Sequence, residues 1–259
     1  MTHKPTDVGR NRTGSGTSPL DTKKTAEGAT ASMPQRSFEM PTATKLRVDI
    51  CGQSEPVGTM PPPTSLKGAA ATVLQKLKGK NANVLLDLLG QRLAFERTGV
   101  RLYEALLAKY DAASLHDEGI AREDIENIRD EELEHFGVLV DVMRQLGADP
   151  TAVTPAADVT AVASSGILKV LADPRTTFTE CLDAMMIAEL ADNAAWLVLA
   201  DLAARVGLDE AASKFRKALG EEEQHLAKVQ HWLIARIDGQ LGVERTLPAP
   251  APSMPPPPG

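Results

Sequence analysis

Fifteen of the chain's 18 prolines lie before residue 67 or after residue 247, and only Pro150, Pro155 and Pro174 fall between. A proline inside a helix removes one hydrogen bond and clashes with the preceding turn. The middle of the chain can therefore be helical over long stretches, and the ends cannot. Ala, Leu, Glu, Arg and Lys dominate that middle, aromatics are only 3% of residues, and apolar–polar alternation of period two is hard to find. These features predict an all-α fold. Residues 1–66 are rich in Pro, Gly, Ser and Thr with few large apolar side chains, so they bury too little surface to offset chain entropy and read as a disordered extension. Residues 248–259, PAPAPSMPPPPG, favour extended polyproline conformation and read as a disordered tail. The folded domain is then 67–247, with its core at 82–240.

Several classes of function drop out early. A formal charge of −7 with no basic stripe argues against nucleic acid as a partner. Cys51 and Cys181 are the only cysteines, far apart and without a Cys-x-x-Cys pair, which excludes a disulfide scaffold and a thiolate zinc site. The first thirty residues hold no apolar stretch of signal-peptide length, and no run approaches eighteen consecutive apolar residues. The expectation is a cytoplasmic protein without a membrane partner.

Apolar residues recur at helical spacing in four segments. The first runs from about Asn81 to Ser114 and the second from Ala121 to Leu146. The third is expected to start at Asp173-Pro174, as N-cap and first helical residue, and to stop by Gly207. Asp209 is the expected cap of the fourth, which reaches about Ile237. Short links make the first two segments one antiparallel hairpin and the last two another. The longer link between them contains an apolar patch, Val159 to Leu171, read as a short helix, and can cross the length of a bundle.

Within this frame the two halves of the sequence repeat one pattern. Glu96 on the first segment is followed by Glu132-Leu-Glu-His135 on the second; Glu189 on the third is followed by Glu222-Glu-Gln-His225 on the fourth. Residues three apart share a helix face, so each Glu and its His can reach one site. Those faces are apolar. Glu96 shares its stripe with Leu89, Leu93, Val100 and Tyr103, and Glu132 with Ile125, Ile128, Phe136 and Leu139. Glu189 lies with Leu182, Met185, Met186 and Trp196, and Glu222 with Phe215, Leu219, Leu226 and Val229. Four carboxylates turned into a core cost several kcal/mol each unless something positive sits among them. Two divalent ions balance four glutamates, and two neutral imidazoles complete the donor set. Oxygen-rich ligation with imidazole and no thiolate suits iron or manganese, with zinc compatible on donors alone. A single Glu-x-x-His is usually a surface pair. Two copies, each preceded by an inward Glu, in a chain with five histidines, point to a metal centre. His3, His116 and His231 read as solvated.

Residues 82–240 thus resemble the ferritin-like superfamily, and within it the rubrerythrin and bacterioferritin branch. LAFERTGVRLY is similar to the first-helix segment of rubrerythrins, with Tyr103 seven residues after the glutamate and Trp196 at the equivalent place in the second half. Such proteins take one Glu from each of two helices and a Glu-x-x-His from each of the other two. The resemblance implies an antiparallel four-helix bundle with one long crossover between its second and third helices. It also implies Glu132 and Glu222 as ligands bridging two iron or two manganese ions, Glu96 and Glu189 as terminal ligands, and His135 and His225 completing one ion each. Asp192 stands where rubrerythrins place an extra carboxylate, and Tyr103 is a candidate to hydrogen-bond a ligand. Leu133 occupies the position where bacterioferritins place a haem-ligating Met, so no haem is expected. The chain lacks a rubredoxin module, so electrons would come from an external donor.

The activity implied is that of an oxidoreductase acting on hydrogen peroxide or O2, a peroxidase or ferroxidase. Two other readings stay open: a dimanganese catalase-like activity, and a non-enzymatic, metal-stabilised bundle that acts as an interaction module through its tails. Homo-oligomerisation also stays open. Both half-sites lie in one chain, so a second copy is not needed to build the centre.

Overall fold

The computed structural model describes residues 23–24, 27–28, 31, 40–55, 57–58, 82–113 and 119–242. The expected tail at 248–259, His3 and His116 lie outside these residues. The main elements are α1 (Met40–Gln53), α2 (Ala82–Ala113), α3 (Arg122–Gln145), α4 (Pro155–Ala172), α5 (Phe178–Arg205) and α6 (Asp209–Leu241). No strand occurs among the described residues, in line with the all-α expectation. The chain divides into two compact units, Met1–Pro56 and Val57–Gly259.

In the first unit α1 is a helix where the composition of 1–66 suggested none. Its only proline, Pro41, sits in the first turn, where the missing N–H costs nothing. The run TKLRVDICGQ beyond it is free of proline, and every side chain described on α1 is exposed.

In the second unit α2 packs against α3, α4 and α5, while α6 packs against α5 and α3. Residue pairs give the directions. Tyr110 of α2 donates to the Ile120 carbonyl just before α3, and Arg122 meets Asp111, so α2 and α3 run antiparallel. Arg92 pairs with Asp192, and Lys109 near the end of α2 donates to the Asp173 and Thr176 carbonyls just before α5. Hence α2 and α5 are antiparallel as well. Gln240 meets Thr179, and Lys228 meets Asp124, which makes α6 antiparallel to both α5 and α3.

With these directions α3 finishes at the opposite end of the body from the start of α5, and α4 covers the distance. Its 18 residues span about 27 Å. At its start Thr154 Oγ1 donates to the Asp87 carbonyl, and the Asp87 carboxylate accepts from Ala156 N; farther along, Gln91 Nε2 donates to Thr160 Oγ1. The chain leaves its end at Asp173, beside Lys109. By length and mean hydropathy α4 also meets the composition of a membrane span. It carries Asp158 and Lys169, however, and packs on α2 and α5.

Local rules differed from expectation at three helix starts. Asp173 is the C-cap of α4 and its carboxylate turns to Arg175; the cap of α5 is Thr177, in a reciprocal pair with Glu180. The arrangement of a cap followed by proline occurs instead at α4, where Thr154 caps and Pro155 opens a helix longer than the patch 159–171. Asp209 is the first residue of α6 and makes no capping bond; its charge lies at the positive end of the helix. Helix α6 runs past Ile237 to Leu241 and stops at Gly242, in the left-handed conformation at φ 67°.

Gly90 lets α4 close on α2, because a Cβ there would run into the Cβ, Oγ1 and Cγ2 of Thr154. Thr154 is buried and tied by two hydrogen bonds, so it cannot step aside. Gly90→Ala should lower stability by about 1–3 kcal/mol through overpacking, despite the helix preference for Ala. Urea denaturation reads this, and an unchanged or raised midpoint would contradict the packing described.

Candidate metal centre

The apolar core is in two parts. One is built around Leu102, Leu106, Tyr110, Ile125, Ile128, Phe178, Leu182, Met185, Val229 and Trp232; the other around Leu85, Leu89, Leu93, Leu139, Met143, Trp196, Leu199 and Phe215. Between them, at mid-length of all four long helices, lies a charged layer. Arg92, Glu96, Glu132, His135, Glu189, Asp192, Glu222 and His225 are all buried at 3% exposure or less. The six residues singled out by the repeat are therefore together and inside, as are Asp192 and Tyr103. Leu133 is exposed and faces away, and His231 is on the surface.

The donor atoms converge. Single atoms of Glu132, Glu189, Glu222 and His225 lie within 4.8 Å of one another, as do those of Glu96, His135 and Glu222, and those of Glu96, Glu132, Asp192 and Glu222. Glu222 belongs to all three groups and Glu132 to two, so these two carboxylates span both halves. Glu222 Oε1 is 2.8 Å from His135 Nδ1, and its Oε2 is 3.3 Å from His225 Nδ1. Glu132 reaches the centre because residue 99 is glycine: a Cβ there would collide with its carboxylate.

Close approach is not the same as hydrogen bonding here. Both oxygens of Glu96 and Glu222, one each of Glu132, Glu189 and Asp192, and Nδ1 of both histidines have no aligned hydrogen-bond partner, although all are buried. Buried polar atoms are nearly always satisfied. Atoms that gather within ionic distance yet aim past one another suit a common cation between them. Five carboxylates against one guanidinium leave a formal −4 with neutral imidazoles, which two divalent ions balance. By charge and by donor type the residues fit two such ions.

The outer shell holds these donors in place. His135 Nε2 is 3.0 Å from Glu221 Oε2, and His225 Nε2 is 2.7 Å from Glu131 Oε2. An N–H given to a carboxylate at Nε2 leaves the Nδ1 lone pair facing inward, as a ligand requires. Tyr103 donates to Glu189 Oε1 at 2.5 Å. Asn193 Nδ2 donates to the carbonyls of Glu189 and Glu222, fastening α5 to α6 beside two of the donors.

Without ions the layer must use protons. Burial pushes the Glu132 carboxyl well up, and neighbouring Glu222 and Glu96 push it further. Burial likewise raises Asp192 well above its usual range, Arg92 opposing. Glu189 is raised to about 8, by burial first and then by Glu222. Burial would lower His135, but the Glu222 and Glu96 carboxylates outweigh it and lift the imidazole to about 11. Burial would raise Glu222, yet the two imidazoles hold it at about 2.

Arg92, Glu131 and Glu221 are the residues that motif reasoning passed over. The last two could have been found, because each half repeats Glu-Glu-x-x-His and not only Glu-x-x-His. Arg92 was visible as the one cation on the stripe of Leu85, Leu89, Leu93 and Glu96. Two cavities of about 290 and 280 Å³, bordered by α2 and α5 and one also by α4, reach Arg92 from outside. Compared with protein-family models, curated proteins and solved structures, the chain matches none.

Protons and dications compete for these atoms, so metal affinity should rise with pH, and binding at neutrality should release protons, seen as a buffer-dependent heat in calorimetry. The sign for the metal-free protein is opposite to that of ordinary carboxylates. Glu189 and His135 are raised from 4.5 and 6.5 to about 8 and about 11, so they bind protons more tightly folded than unfolded. Metal-free stability should fall as pH climbs from about 4.5 through 8, and continue to fall toward 11. A metal-free melting temperature that rises over that range would contradict the assignment.

Glu131→Gln and Glu221→Gln should each weaken metal binding roughly 10- to 100-fold while leaving helix content unchanged. Equilibrium dialysis against manganese(II) checks this. Wild-type affinity in both variants would mean that the two carboxylates do not orient the imidazoles.

Proposed function

We propose that this chain is a ferritin-like, dinuclear metal carboxylate protein that acts as an oxidoreductase on hydrogen peroxide or O2, with electrons from an external donor. The observation that carries the reading is the buried layer of carboxylates and imidazoles whose inward atoms lack aligned hydrogen-bond partners. The antiparallel ring α2–α3–α6–α5, with α4 crossing the length between α3 and α5, supports the ferritin-like arrangement.

Glu96, His135, Glu189 and His225 would hold the two ions terminally, and Glu132 and Glu222 would span them. Iron is the first candidate and manganese the second; bound there, the pair would supply redox equivalents and Lewis acidity at one place. The chain's own contribution is order and dryness. Glu131 and Glu221 fix which imidazole nitrogen faces inward, and Tyr103 holds Glu189 while offering a phenolic proton at its oxygen. The buried Trp196, packed edge-on to His135, and the buried Phe95 keep bulk water from the layer. The cavities that Arg92 helps to line have the scale to admit a molecule as small as peroxide or O2. No second copy is needed for any donor, so a monomer suffices for the chemistry.

The test is loss of both ions together. Glu132→Ala and Glu222→Ala should each strip most of the metal and lower donor-dependent consumption of peroxide or O2 by about 100-fold or more, because each side chain serves both halves. Full metal content with wild-type turnover in both variants would end the proposal. Peroxide loss that needs no electron donor in the manganese-loaded protein would move the assignment to a catalase-like reaction.

A further inference from the structure

The two halves of the charged layer repeat each other imperfectly, and the imperfections meet. Four residues before the terminal glutamate stands Arg92 in the first half and Met185 in the second; three residues after it stand Gly99 and Asp192. The two charged members face each other across α2 and α5. Arg92 Nη2 is 2.8 Å from Asp192 Oδ1, and Arg92 Nε is 2.6 Å from Glu96 Oε1, with both side chains of the pair at 3% exposure. The guanidinium also lies over the Phe95 ring, 4.4 Å from its centroid.

Of these two carboxylates, Glu96 is the one an ion in that half would need. Glu96, Glu132, Asp192 and Glu222 form one of the converging groups, and Glu96 is also the partner of His135. A guanidinium is thus already seated where a dication would have to compete for Glu96. The other half has no such occupant. Glu132, Glu189, Glu222 and His225 converge there as four donors, and among the described residues the Glu189 carboxylate accepts from the neutral hydroxyl of Tyr103 rather than from a cation. A cation placed beside Arg92 meets like charge in a dry interior, where such repulsion is weakly screened.

Resting on the dinuclear reading above, we infer that the centre fills in two unequal steps: the Glu189–His225 half binds the first ion, and Arg92 withholds the Glu96–His135 half until a second ion displaces it from Glu96. Arg92 is in this sense a positioning residue. The neutral Arg92–Asp192 pair adds no net charge to a layer whose other four carboxylates already balance two dications, so its effect falls on order of filling. The Glu189 half is the resident position, and the Glu96 half is the exchangeable one.

Titrating the full-length apoprotein with manganese(II) alone, with free ion counted by electron paramagnetic resonance, tests this. Wild type should take up one ion tightly and a second at least about tenfold more weakly. Arg92→Met, which copies Met185, should tighten the second step and leave the first unchanged. Because that variant leaves Asp192 and Glu96 facing each other without the guanidinium, the double variant Arg92→Met/Asp192→Asn is the companion: it preserves net charge, leaves Glu96 alone of the two carboxylates free for an ion, and should also bring the two steps together. Two indistinguishable steps in wild type, or a double variant with wild-type spacing, would overturn the inference while leaving the dinuclear reading standing. Absence of any manganese binding would remove both.

Discussion

A carboxylate moved from water into a shell of leucines must find a positive partner, and this body places five of them in one cross-section. Everything else about the architecture is compatible with many sequences; this layer is not. It divides the apolar core into two parts, and each of the four long helices must present its acid at the same height. A slip of one residue along any helix would turn that acid away by about 100° and leave its partners uncompensated. The register of the body is therefore set electrostatically, while the two apolar parts on either side supply the bulk of the cohesion.

The approximate doubling of the sequence gives the layer an approximate two-fold character, and the departures from it carry chemical meaning. A glycine opposite Glu132 makes room that its counterpart, an aspartate, does not offer. A phenol supports Glu189 and a guanidinium Glu96. In metal-free form protons on Glu132, Glu189 and His135 and the fixed charge of Arg92 offset most of the layer's negative charge, so the same atoms that would bind ions are occupied by the cations nearest to hand.

Much of this was legible before any coordinates. The four long helices, and the six donors together with Asp192 and Tyr103, could be read because periodicity and the doubled motif are local in sequence, and because a Glu on an apolar stripe has few explanations. The pairing of Arg92 with Asp192 could not, since those residues are far apart in the chain and meet only when α2 and α5 are docked. Helix starts failed for a subtler reason: Asp173-Pro174 and Thr154-Pro155 look alike locally, and which one opens a helix depends on Lys109 and Asp87, residues of a different helix. The position of Tyr103 on the stripe of Glu96 suggests a hydrogen-bond donor, but its acceptor, Glu189, lies across the body in the other half of the repeat and is set only by the fold.

Helix α4 contributes no donor to the layer and buries only Ala157 and Leu171 completely. Its departure from the surface would uncover the flank of α2 and α5 without orphaning a single carboxylate of the charged layer. Partial opening of a protein is least costly where few buried groups are forfeited, and detachment of α4 would forfeit none of the layer's donors. The polar centre is thus insulated from such an opening: the covering could lift while the charges beneath keep their places.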